Sequence, residues 1–163
     1  MRARIEPGPG QESVWDYPRP PRVEPTSERI VVHLGGAVIA DTTSAVRVLE
    51  TSHPPAYYIP RTAFVAGALT PADGASWCEF KGHASYLDVH GGADTVSSAA
   101  WFYPNPSTGF EALAGLVSLY PGRMETCEVD GETVVAQDGG FYGGWITSRV
   151  VGPFKGAAGT RGW

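Results

Sequence analysis

The chain has 163 residues, enough to bury one continuous core without help from metals or disulfides. Its 21 glycines and 14 prolines exclude a mostly helical protein, and 42% hydrophobic with 18% charged residues is a globular composition. Lys and Arg number 12 against 17 Asp and Glu, a net charge of −5, so no overall field draws in a phosphate backbone and nucleic acid is not an expected partner.

Residues 1–28 come first and hold Pro7, Pro9, Pro18, Pro20, Pro21 and Pro25, a composition that favours extended polyproline-like chain. They are read as an arm ahead of a single domain at 29–163. Trp15 and Tyr17 are placed to pin this arm across the domain surface, a free tail over residues 1–12 being the alternative, and a proline-rich arm can equally wrap a second subunit, the route by which a homo-oligomer would form. The N-terminus lacks the apolar stretch of a signal peptide, and no apolar run approaches the ~20 residues of a membrane span. Cys78 and Cys127 are too few for a disulfide framework and not a CxxC pair. A soluble cytoplasmic protein with reduced thiols is expected.

From Arg29, "RIVVHLGGAVIAD" sets two β-branched runs around Gly35-Gly36, and glycine accepts the positive φ of a tight hairpin turn. "SAVRVLE" alternates as a strand until the paired prolines Pro54 and Pro55. A short helical turn is expected after Pro60. "SWCEFKG" and "HASYLDVH" read as a second hairpin or a strand bent at Gly82, followed by a loop at 91–98. "AAWFYPNP" is a short strand stopped by Pro104, "GLVSLYPG" is another, and "METCEVDGETVVAQDGG" is a hairpin turning at Asp130-Gly131. The tail is aromatic and glycine-rich with one short β run. The expected fold is mainly β, coiled antiparallel sheets with little helix.

The stretches "RPPRVEP", "ETSHPPAYYIPR", "CEFKGHASY", "AAWFYPNP", "GGFYGGWIT" and "GPFKGAAGTRGW", taken in order, resemble a bacterial and fungal family, domain of unknown function 427, also labelled nucleotidyltransferase-like. The resemblance runs from about Trp15 to Trp163. It implies a β-tent type of fold and no reaction. Several relatives of that fold hold zinc through two CxxC pairs, which this chain lacks, so no metal and no cofactor is expected. A polymerase-type transferase needs two alternating carboxylates after a Gly-Gly turn. Here Asp41 is followed by Thr42 and Thr43, and a hairpin accounts for the same glycines.

Phe-Lys-Gly occurs twice, at Lys81 and at Lys155, and a lysine on a turn with free backbone amides suits a carboxylate or phosphate. The rigid double-proline segment adds Glu50, His53, Tyr58 and Arg61. His53 is a candidate for proton transfer, oriented by Glu50, with Lys81 as charge stabiliser. Strand alternation aims Cys78 away from Lys81 and His83 and makes it a structural cysteine. Trp101 or Trp145 would floor a pocket flanked by both lysines, with Tyr86, Tyr142 and His83 beside it and a slot opened by Gly143-Gly144. The leading expectation is a binder of a small anionic, partly planar metabolite, with acid–base chemistry through His53 and Glu50. The alternatives are a non-catalytic protein-interaction module and a nucleotidyltransferase.

Overall fold

In the computed structural model, which describes residues 3–163, the two runs around Gly35 and Gly36 fold back on each other, and both glycines take positive φ. The strands in chain order are β1 Glu12–Ser13, β2 Arg22–Pro25, β3 Ile30–Leu34, β4 Ala37–Thr42, β5 Val46–Leu49, β6 Ala56–Pro60, β7 Leu69–Cys78 and β8 Gly82–Gly91. They continue with β9 Asp94–Phe102, β10 Leu116–Leu119, β11 Thr126–Val129, β12 Glu132–Thr133, β13 Val135–Ala136, β14 Trp145–Ile146 and β15 Val150–Val151. Helix among the described residues is limited to three-residue 3-10 turns, one of them at Arg61–Ala63 after Pro60.

The chain is mainly β. β2-β5-β6-β10-β9-β8-β7 form a seven-stranded antiparallel sheet and β12-β11-β3-β4 a four-stranded one. A short antiparallel pair, β13-β14, and a parallel pair, β1-β15, complete the ladders. Register shifts interrupt β3–β4, β7–β8 and β8–β9, irregularities of the kind that bend a sheet and increase its twist.

Strand alternation sorts side chains between two faces of the large sheet. One face meets the small sheet: Ile30, Val32, Leu34 and Ile39 pack with Tyr57, Ile59, Leu87, Val89, Val117 and Leu119 in the main core. Neighbours displaced by one residue point the other way. Val48, Tyr58, Ala84 and Tyr103 build a second cluster with Phe110 and Leu113, and this second face carries the cleft described below.

Two expectations need correction. The segment 91–98 is not a loop, because Asp94 already pairs with Gly91 and β9 runs on to Phe102; ladder pairing overrides the weak propensity of small polar residues. The boundary at Arg29 does not divide an arm from a domain. Its first two residues lie outside the described ones, but Glu12–Ser13 pairs with β15, and β2 is an edge strand whose terminal Pro25 needs no ladder partner on its free side. Val14 and Tyr17 are buried with Leu49 and Val150. Trp15 and Tyr17 do hold the segment to its own domain: the Trp15 indole N–H donates to the Pro153 carbonyl at 2.9 Å, and Thr51 Oγ1 donates to the Tyr17 carbonyl at 2.6 Å. Among the described residues no helix is long and apolar enough to cross a membrane.

Candidate functional site

On the second face of the large sheet, alternation lines up rings from successive strands. Tyr58 of β6, Tyr86 of β8, Trp101 of β9 and Tyr120 after β10 border one cleft of about 240 Å³, with Tyr103 following Trp101 on the same face. The rings brace each other. Trp101 Nε1–H donates to Tyr58 Oη at 3.2 Å, and the Trp101 and Tyr120 ring centroids are 4.7 Å apart. Desolvation pushes the hydroxyls of Tyr58 and Tyr103 above the phenol range and that of Tyr120 up to about 12, so these phenols stay protonated at neutral pH.

The opposite wall comes from two loops. Glu50, His53 and Pro54 enter from the double-proline segment, and Gln137 and Phe141–Gly144 from the glycine-rich stretch between β13 and β14. Gly143 and Gly144 do not open a slot. A Cβ on Gly143 would collide with the Trp101 indole, and one on Gly144 with Gln137 and Pro54, so the missing side chains let the loop close against the sheet. The expected slot is a wall because this backbone approaches its neighbours too closely to leave space.

Lys81 supplies the cleft's ammonium group, with Nζ 5.9 Å from the Tyr103 ring centroid. Burial works against its charge, but the acidic groups around it, Tyr58 and Cys78 in their ionised forms and Glu50, outweigh that and raise its pKa. His53 responds the other way. Burial lowers its pKa below the usual 6.5, and the charges of Lys155 and Arg19 add to this against the opposing effects of Glu50 and the Thr51 carbonyl. The imidazole is therefore neutral at pH 7. With Nδ1 2.8 Å from the Thr51 carbonyl oxygen, that nitrogen carries the proton and Nε2 is the basic atom.

Several expected residues sit elsewhere. Glu50 lines the cleft but is paired with Arg19 at 3.3 Å and lies 3.9 Å from His53 Nδ1, so the Thr51 carbonyl, not Glu50, orients the ring. Lys155 does not line the cleft: its Nζ stands 5.9 Å from the Tyr142 ring centroid and 3.4 Å from the Trp163 carbonyl oxygen. The two lysine turns therefore share the cleft's surroundings, while only Lys81 reaches the cavity. Trp145 is completely buried against Tyr57 at 5.0 Å because β14 directs it into the core. His83 stacks on Trp77 at 4.7 Å in a second, smaller depression, since β8 sends it to the face opposite Tyr86. Arg61 lies over the Phe102 ring at 4.8 Å, on the core-facing side of β9.

Cys78 is the clearest departure. The expected face alternation fails because residues 79–81 form the turn of the β7–β8 hairpin, and Cys78 and Lys81 both line the cleft. Ser76, Tyr120, Gln137 and Phe141 are among the lining residues that the sequence pattern did not point to; Tyr120 could have been found as the last aromatic of a strand that stops at Pro121. Asp41 is far from this role: exposed on β4, it accepts two hydrogen bonds from Arg29 at 3.1 and 2.8 Å. Among the described residues no three His, Cys, Asp or Glu side chains converge as a metal site.

Fold and cleft thus define a mainly β protein with an aromatic, lysine-bearing hollow on the outer face of its larger sheet. The chain belongs to the family described as domain of unknown function (DUF427), whose model matches residues 22–130. That span begins at β2 and includes the sheet side of the cleft, while Gln137 and Phe141–Gly144 lie beyond it. No curated protein matches the chain.

Proposed function

We propose that the cleft binds a small anionic, partly planar molecule and that His53 exchanges a proton with it. The observation that carries this is the meeting of one ammonium, one neutral imidazole and a wall of rings in a single cavity of about 240 Å³. Rings accept a flat group by stacking, and a partly desolvated ammonium holds a carboxylate or phosphate more strongly than one in water. The volume is near the lower end for ligand sites, which favours a metabolite over a polymer segment.

Thermal-shift screening of the wild type and Lys81→Ala against phosphates, nucleotides and carboxylates tests this. A ligand at about 100 times its Kd adds about 2.7 kcal/mol, roughly 5–10 °C for a chain of this length. Stabilisation of the wild type that disappears in Lys81→Ala is expected. If no anion stabilises, or the variant responds equally, the proposal fails.

The second reading, a protein-interaction module, draws on Trp77 and Phe141, which border the cleft at 62% and 75% exposure. It predicts that Trp77→Ala and Phe141→Ala weaken a protein contact while no anion stabilises the wild type.

A further inference from the structure

The cleft holds a nucleophilic side chain that the proton-exchange reading leaves unused. Cys78 is partly buried at the end of β7, and the turn at 79–81 brings it onto the same cavity as Lys81 and His53. The neighbourhood favours a reacting sulfur. Lys81, across the three-residue turn from Cys78, lines the same cavity and places its ammonium where a carboxylate beside the sulfur can be held. Of the carboxylates, Glu50 borders the cavity, and Arg19 pairs with it at 3.3 Å. Tyr58 and Tyr103 remain neutral hydroxyls. The other thiol provides a contrast, since Cys127 is buried between the sheets and desolvation drives its pKa far above the thiol range.

We propose that Cys78 is the nucleophile of this cleft and forms a covalent bond with small carboxylates that carry an electrophilic carbon beside the carboxyl group, Lys81 holding the carboxylate as the sulfur attacks. The proposal rests on the cleft being an anion site. Its step is balanced without an oxidant: the thiol proton passes to the neutral His53 imidazole, the Sγ–C bond forms, and the bond from that carbon to its leaving group breaks with the pair departing on the leaving group. An ammonium has three N–H donors, so one lysine can serve sulfur and carboxylate together.

Iodoacetate and iodoacetamide separate the parts of this proposal, because they share an electrophilic carbon and differ in the carboxylate. Alkylation of the full chain is followed by peptide mass mapping for the wild type, Lys81→Met and Cys78→Ser, with glutathione as the unstructured reference. Cys78 is expected to react in the folded protein and Cys127 only after denaturation. The iodoacetate-to-iodoacetamide rate ratio at Cys78 should exceed that of glutathione about tenfold, equivalent to about 1.4 kcal/mol of ion pairing. In Lys81→Met the ratio should fall back to the glutathione value while iodoacetamide still reacts. Excess acetate should slow iodoacetate in the wild type, a measurement that needs no variant to fold. If Cys78 is inert to both reagents the covalent proposal is wrong, and anion binding read by thermal shift still stands. Reaction without preference for iodoacetate and without acetate protection overturns the proposal and the anion reading together.

Discussion

His53 draws its character from what surrounds one ring. Burial is the largest influence and favours the neutral form, so the folded protein takes up the His53 proton at lower pH than the unfolded chain does. The stability this contributes is complete above the usual value of 6.5 and is lost as pH falls through the lower folded value. Nuclear magnetic resonance titration should accordingly place the His53 midpoint below 6.5. On going from about pH 7.5 to about pH 5.5, the wild type should lose more melting temperature than His53→Gln does. A midpoint at or above 6.5 would show that the cleft does not desolvate this ring. Gly143 tests the opposite wall. A methyl group there meets the Trp101 indole, so Gly143→Ala should shift tryptophan emission and weaken any ligand that stacks on Trp101, with a stability cost on the order of 1–3 kcal/mol for overpacking.

Hairpins are the elements that organise this molecule, and their turns differ in what they touch. Gly35 closes β3–β4 and Gly92 follows β8, and a Cβ on either would collide with the backbone of the other turn. Here two hairpins approach backbone to backbone. Gly131, in the Asp130-Gly131 turn of β11–β12, also has positive φ but has open space where a Cβ would go. Gly35→Ala should therefore cost on the order of 3 kcal/mol, from backbone collision plus conformational strain. Gly131→Ala should cost roughly 1 kcal/mol, from strain alone. Urea denaturation of the pair measures the difference, and equal losses would mean that the turns do not interlock. Both hairpins were readable as sequence because Gly-Gly and Asp-Gly specify turn geometry locally. The β7–β8 hairpin was readable as a hairpin, but not where its turn placed Cys78, because Glu79 and Phe80 carry no turn signature.

At the scale of the whole molecule, the proline-rich beginning is part of the architecture. Arg47 of β5 is nearly buried and donates to Glu12 at 2.7 Å and to Glu24 at 3.3 Å, tying both early strands to the large sheet. The same segment carries Arg19, the partner of Glu50 on the cleft wall. A chain starting at Arg29 uncovers Leu49 and Val150 and leaves β5 as an unpaired edge. At about 1.5–3 kcal/mol for each apolar side chain, this is a large share of the roughly 5–15 kcal/mol that a domain has in total. We expect that truncation to melt at least about 10 °C lower, or to aggregate, by circular dichroism. Unchanged melting would mean that residues 1–28 do not hold the sheets together.

By itself the sequence determined the mainly β class, the two glycine-marked hairpins and the family resemblance, because turn chemistry and strand alternation act between near neighbours. Tertiary structure alone decided which residues meet. It buried Trp145, set Lys155 apart from the cavity, and brought Cys78 to Lys81 across a turn, since contacts between distant strands depend on register and sheet bending that no local pattern encodes.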